Sequence, residues 1–142
     1  MPINFQLEEL YIEDKAEREK AKSKEEIDNL IANTKIRLNK LRIILPNIDE
    51  SEIWNCHYAA YLLQHGEGSA DFELAHDYAK KAVDMGSNVT KWLYAATLDR
   101  LLISQGKLQK FGTQYQIIGG KKVYAPTDQT VTDAEKKEYG VL

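Results

Sequence analysis

One cysteine, three prolines and no long apolar run set the first limits on this chain. A single cysteine, Cys56, has no partner for an internal disulfide, and its place in an apolar, helix-like run reads as a small hydrophobe. No apolar stretch approaches the roughly 20 residues that span a bilayer. Met1 to Leu10 lacks the basic and apolar regions of a secretory signal, so a cytoplasmic protein with no membrane partner is expected. Positive charge is not in excess either. The 19 Lys and Arg against 22 Asp and Glu leave a net charge of −3, the wrong sign for a phosphate-backbone binder, and nucleic acid is excluded as a general partner. The named catalytic signatures are missing: there is no P-loop, no dinucleotide-binding glycine pattern, no Gly-x-Ser-x-Gly elbow and no His-Glu-x-x-His. His57, His65 and His76 lack metal-motif spacing, so neither a metal nor another cofactor is expected.

What is present describes one domain. A chain of 142 residues is too short for two independent cores and can bury roughly two-thirds of its unfolded surface without a disulfide or metal. Its fold class is mainly α: a bundle of about five helices with one small C-terminal β-hairpin and a short last helix. Ile3 to Lys22 reads as a helix with Phe5, Leu7, Leu10, Tyr11 and Ile12 as its apolar stripe and a charged, solvated end from Lys15. Ser23 with Glu26 forms a capping box that starts a second helix. Its stripe is Ile27, Leu30, Ile31, Thr34, Leu38, Leu41 and Leu45, and Pro46 stops it.

Asp49 with Glu52 repeats the capping signal for a third helix over Glu50 to His65, closed by Gly66 and Gly68. A fourth spans Ser69 to Met85 and a fifth Val89 to Gln105. The short connections predict antiparallel sequential neighbours. Tyr78 to Ala82 looks like one unit of a tetratricopeptide-type repeat, but no second copy follows, and a single unit cannot stack. Gly119-Gly120 then supplies a two-residue turn for a hairpin at about 112–125, in a register that faces Tyr115 with Tyr124. Pro126 ends its second strand. Thr132 with Glu135 caps a last helix over Asp133 to Tyr139.

Three polar clusters stand out against this frame: Gln64-His65, Asp99-Arg100 and Phe111-Gly112-Thr113-Gln114. Trp54, Tyr58, Tyr61 and His65 lie on one stripe of the third helix, with His57 on its edge. His65 also sits at a helix C-terminus, where a protonated imidazole is favoured. Asp99 shares a stripe of the fifth helix with Trp92, Ala95, Ala96 and Ile103. A carboxylate on such a face must be paired, either as a structural acceptor for the hairpin backbone or Trp54 or as part of a site. Arg100 is about 100° round the helix from it. Thr113 and Gln114 place a hydroxyl and an amide at the mouth of a strand.

In order and spacing these clusters resemble a bacterial domain family of unknown function. The resemblance rests on Asp14 and Arg18, Asn33-Thr34, Gln64-His65, Asp71-Phe72 and Asp99-Arg100. A run of Gly106, Lys107, Gln109, Phe111, Gly112, Thr113 and Gln114 follows, and then Val131, Asp133 and Tyr139-Gly140. It spans nearly the whole chain. The sequence departs from the family pattern at Gly66-Glu67, where a small residue and an acid are usual, and at Lys15, which replaces a Gln. The resemblance implies no activity. It implies a set made of Asp14, Arg18, Asn33, Gln64, His65, Asp99, Arg100, Thr113 and Gln114 that converges in the fold.

Two readings follow. In the first, the protein binds a small molecule or a peptide end in a His/Asp/Arg/Gln cleft, and whether it turns its ligand over is left open. His65 is then the acid or base, Asp99 orients it, Arg18 or Arg100 holds an anionic group, and Gln64, Thr113 and Gln114 orient the substrate. In the second, it is a non-enzymatic interaction module whose polar residues form a structural hydrogen-bond network, with its partner surface elsewhere. Oligomeric state is not legible in the sequence.

Overall fold

The computed structural model describes residues 2–142. Along them run α1 (Phe5–Lys20), α2 (Lys24–Ile44), α3 (Ile53–Leu63), α4 (Ser69–Asp84) and α5 (Lys91–Ser104), then β1 (Tyr115–Ile118), β2 (Lys121–Tyr124) and α6 (Asp133–Glu138). The mainly helical bundle with one small hairpin and a short last helix is the architecture expected from the sequence.

Local chemistry sets most boundaries. Asn4 caps α1 by accepting from Leu7 N at 2.9 Å, while its own N–H donates to Asn55 Oδ1 at 2.9 Å and so fixes the start of α1 against α3. The Ser23–Glu26 capping box forms in both directions. α2 ends at Ile44 and tightens into a 3-10 turn over Leu45–Asn47 that contains Pro46. The next cap differs from expectation. Asp49 closes a local turn by accepting from Ser51 N and Oγ, and Glu52 caps α3 by accepting from Trp54 N, so α3 starts at Ile53 and not at Glu50.

α3 is the centre of the bundle. It packs on both α1 and α4, α5 packs on α4, and α2 lies mainly against α1. Consequently Asn55 to Ala60 and Leu62 to Gln64 are all buried, and an aromatic stripe is not what defines the inward face. Trp54, at one end of that stripe, is 40% exposed. The core proper is Leu7, Leu10, Leu38, Leu41, Leu62, Leu63 and Leu93 with a layer of alanines from α3 and α4. Alanine permits close helix approach.

On α2 the buried face is Thr34, Arg37, Leu38 and Leu41, whereas Ile27 and Ile31 are exposed. The expected stripe therefore turns inward only in its second half. On α1 the inward positions are Leu7, Leu10 and Asp14, with Phe5 and Ile12 outside. Similarly, Trp92 and Ile103 lie at the exposed margin of the α5 stripe whose centre, Ala95, Ala96 and Asp99, is buried.

The hairpin has the expected register, Tyr115 opposite Tyr124, and turns at Gly119 and Gly120 with φ of 58° and 78°. Positive φ at both positions is what a two-residue turn with the twist of the strands requires. Every residue of both strands is exposed. What anchors the hairpin is its base. Gln109 is fully buried, donates through Nε2 to Gln114 O and Ala125 O, and accepts from Gln114 N. Tyr139, just past α6, stacks on Tyr94 with centroids 4.8 Å apart and packs on Phe111, which closes the end of the bundle.

Candidate functional site

Of the nine residues expected to converge, seven fall into two constellations, and Gln64 and Arg100 belong to neither. The first joins α1, α2 and the end of α3. Asp14 is 1% exposed, on the core-facing stripe of α1, one turn beyond Leu10. Its Oδ2 accepts from Arg18 Nε at 2.8 Å and its Oδ1 from Arg37 Nε at 2.9 Å. Arg37 reaches on to Glu17 Oε1 at 2.8 Å, and Asn33 Nδ2 donates to the other oxygen of Glu17, also at 2.8 Å. Arg18 Nη2 donates to Thr34 Oγ1 at 2.9 Å, and that hydroxyl donates to Leu30 O. Burial raises the Asp14 pKa, but His65 and Arg18 outweigh it and hold the carboxyl down at about 2.

His65 belongs to this constellation. Its Nδ1 lies 3.2 Å from Asp14 Oδ2, an ion-pair distance at which the ring N–H is out of line for a hydrogen bond. Burial lowers its pKa, the Asp14 contact works against that, and the charges of Arg18 and Arg100 reinforce it, so the ring is neutral at pH 7. Nδ1 is buried, and the residue lines a cleft of about 410 Å³ with Arg18, Thr34, Glu67 and Arg100. An imidazole with a carboxylate beside one ring nitrogen, on the lining of a cleft, is a group suited to proton transfer.

The second constellation is a loop clamp. Asp99 is fully buried, and its Oδ1 accepts from Lys110 N at 2.7 Å and Phe111 N at 2.9 Å. Its Oδ2 accepts from Thr113 N at 3.0 Å and Thr113 Oγ1 at 2.7 Å. Four donors satisfy both oxygens. The carboxylate oriented toward His65 is therefore Asp14, and Asp99 instead shapes the 110–113 loop at the entry to the hairpin. Thr113 Oγ1 also accepts from Gln114 Nε2 at 3.0 Å, which sets the Gln114 side chain at the hairpin base. Gln64, the C-cap of α3, is buried beside His65 in sequence, with its backbone N–H bonded to Ala60 O at 3.1 Å.

Arg100 stands between the two. It lines the His65 cleft on one side and, on the other, a cleft of about 500 Å³ with Gln114, Tyr115, Tyr124 and Phe72. Its Nε is buried without a hydrogen-bond partner, and no carboxylate lies within ion-pair distance of it among the described residues. Burial and the nearby charge of Arg18 both lower its pKa. Arg18, Arg37 and Arg42 each hold a carboxylate; the fourth arginine does not.

The sequence reading placed Thr34 on an apolar stripe and left out Arg37, the most buried arginine. Its signal was spacing: Arg37 follows Thr34 by three residues and precedes Leu41 by four, on the inward face. The other histidines are internal. His57 Nδ1 pairs with Thr90 Oγ1 at 2.8 Å and His76 Nδ1 with Thr97 Oγ1 at 3.1 Å. Cys56 is buried, and burial together with the charge of Glu50 pushes its thiol up to about 11, which leaves it protonated and unreactive. Among the described residues no group of three or more His, Cys, Asp or Glu is placed to hold a metal ion, and no helix is long and apolar enough to cross a membrane. No family model, no curated protein and no solved structure matches the chain.

Proposed function

We propose that the protein binds a small anionic molecule in the cleft bounded by Arg18, His65 and Arg100. The observation that carries this reading is Arg100, a half-buried guanidinium with a buried, unpaired Nε and no carboxylate of its own. Removing a cation from water costs several kcal/mol unless an anion compensates it. Every other arginine has that compensation inside the chain, so an incoming anion is the natural partner of this one. Arg18 flanks it, and His65, neutral and backed by Asp14, accepts or donates a proton at Nε2. Asp99 acts at one remove, through Thr113, whose hydroxyl it holds, and the loop that carries Gln114 to the neighbouring cleft. The family resemblance implies one converging set, whereas these residues divide between the cleft and the loop clamp, and membership of that family is part of the proposal.

The test is thermal melting of the full chain against a panel of metabolite anions, because a ligand that binds only the native state raises the melting temperature. The wild-type protein is expected to gain several degrees with at least one mono- or dicarboxylate, and Arg100→Met to gain nothing. An equal response in Arg100→Met overturns the reading.

The rival reading, an interaction module with a structural polar network, is favoured by Asp99 and Gln109, whose polar atoms are satisfied inside the chain. It accounts for the loop clamp. It does not account for the unpaired Arg100.

A further inference from the structure

The two clefts that share Arg100 differ in chemistry. The one on the His65 side carries most of the charge, with Arg18, Lys35, Glu67 and Arg100 beside Leu30, Ile31 and Leu38. The one on the hairpin side is walled by Tyr115, Val123 and Tyr124 from the hairpin, Ile103 from α5 and Phe72 from α4. At about 500 Å³ it is the size of a small-molecule site. Tyr115 and Tyr124 face each other across the hairpin with ring centroids 5.4 Å apart and remain about half exposed. Such aromatic walls beside a charged anchor bind an apolar body attached to an anionic head.

We infer that the ligand is a small carboxylic acid with a flat, apolar body, its carboxylate on Arg100 and its body in the groove between the hairpin and α5. This rests on the anion-binding reading and names its substrate class.

Charge favours a monoanion. Asp14 and Glu17 are spent on Arg18 and Arg37. Lys35 and Arg100 then oppose Glu67 in the cleft on the His65 side, which leaves one positive charge in excess there while His65 is neutral; Lys122 lies on the hairpin, 4.7 Å over the Tyr115 ring. That matches a carboxylate better than a doubly charged phosphate. A guanidinium also pairs with a planar carboxylate through two parallel bonds.

Main-chain chemistry disfavours a peptide added as a strand at the base of this groove. A peptide that docks as an added strand needs free backbone donors and acceptors along its groove. At the base of this one they are taken. Gln114 N and O bond to Gln109 and Ala125, Ala125 N and O bond to Gln114 and Gln109, and Pro126, which has no N–H, gives its carbonyl to Gln109 N. The groove offers side-chain surface and a charge, which is what a free acid requires.

Calorimetric titration of the full chain with acetate, 3-phenylpropionate, 3-phenylpropionamide and N-acetyl-Gly-Phe tests this. Burying the phenyl ring is expected to make 3-phenylpropionate bind at least about tenfold tighter than acetate. The neutral amide is expected to lose most of that affinity, and the peptide to bind no tighter than 3-phenylpropionate. In Tyr124→Ser, and independently in Ile103→Ser on the opposite wall, the ratio between 3-phenylpropionate and acetate is expected to fall toward one, with a melting curve showing that each variant folds. Equal binding of acetate and 3-phenylpropionate overturns the inference and leaves the anion reading standing. A much tighter peptide overturns it in favour of a peptide end. Absence of binding by both acids, with no other anion active in the melting panel, overturns the anion reading itself.

Discussion

His65 Nδ1 stands 3.2 Å from Asp14 Oδ2, which ties the end of α3 to the third turn of α1. The same carboxylate receives Arg18 and Arg37, so one buried anion organises three cationic or potentially cationic groups drawn from three helices. A buried charge of this kind is compensated only while all its partners stay in place. The polar cleft therefore inherits its geometry from a residue that does not itself line it.

Replacing Asp14 by Ala leaves Arg37 buried beside Arg18 with only Glu17 to oppose them. Breaking a buried pair from one side costs roughly 3–5 kcal/mol, and Asp14→Ala is expected to lose about that much in urea unfolding. Arg18→Ala is expected to lose less, about 1 kcal/mol, because its side chain is 27% exposed and Arg37 keeps Asp14 paired. An Asp14→Ala variant as stable as the wild type would show that Asp14 is not the keystone of this end of the bundle.

Asp99→Asn tests the loop clamp. The amide keeps the shape but offers one acceptor oxygen, and its NH2 faces backbone donors where a carboxylate oxygen accepted two bonds. Hydrogen bonds to a charged group contribute about 1.5–3 kcal/mol each, so a loss of roughly 2–4 kcal/mol is expected. Amide exchange at Lys110, Phe111 and Thr113 is expected to speed up selectively. Unchanged exchange at those three positions would count against the clamp.

The contrast between these two aspartates shows what was legible in the sequence. Elements written in local code were readable: Ser23 with Glu26 and Gly119-Gly120 form as expected, and Thr132 caps α6 by accepting from Glu135 N, although the Glu135 carboxylate pairs with Lys110 and does not close the box. The Asp49 cap failed because two acidic residues three apart can close either a turn or a helix start, and Ser51 decided for the turn. Burial of Asp99 was readable from its stripe. Its partners were readable only as one of several alternatives, since a stripe gives a face and not what meets that face. The pairing of His65 with Asp14, and the role of Arg37, depend on how α1, α2 and α3 cross. No local pattern carries that crossing, and Arg100 is unusual only for what it does not touch.

Gly66 holds the rim of the cleft for a steric reason. A Cβ added there would fall 2.4 Å from Asp71 Cβ. Asp71 is committed in both directions: it accepts from Glu67 N at 3.0 Å and receives both guanidinium nitrogens of Arg42 at 2.9 Å. Gly66→Ala must therefore push back the first turn of α4, and overpacking of this sort costs typically 1–3 kcal/mol. Urea unfolding is expected to show a loss in that range, together with faster exchange of the Glu67 amide. A neutral outcome would mean that the α3–α4 connection yields freely.

Acid sensitivity follows from His57. Burial, assisted by the charge of Lys15, pushes its pKa from 6.5 down to about 4, the ring being only 8% exposed. The unfolded chain thus takes up a proton more readily than the native one. Stability is complete above about pH 6.5 and is lost progressively as the pH falls from there toward 4, by roughly 3 kcal/mol for this group. The lowered pKa values of His65 and His76 add to the same slope, and the depressed Asp14 continues it below the ordinary aspartate value of 3.8. Urea midpoints measured from pH 8 to pH 4 are expected to fall with acid, and His57→Gln is expected to flatten the curve between pH 6.5 and 4. Imidazole resonances give the independent check: the His57 signals should stay in their neutral positions down to about pH 5. A His57 that titrates near 6.5 in the folded protein would remove this source of the slope.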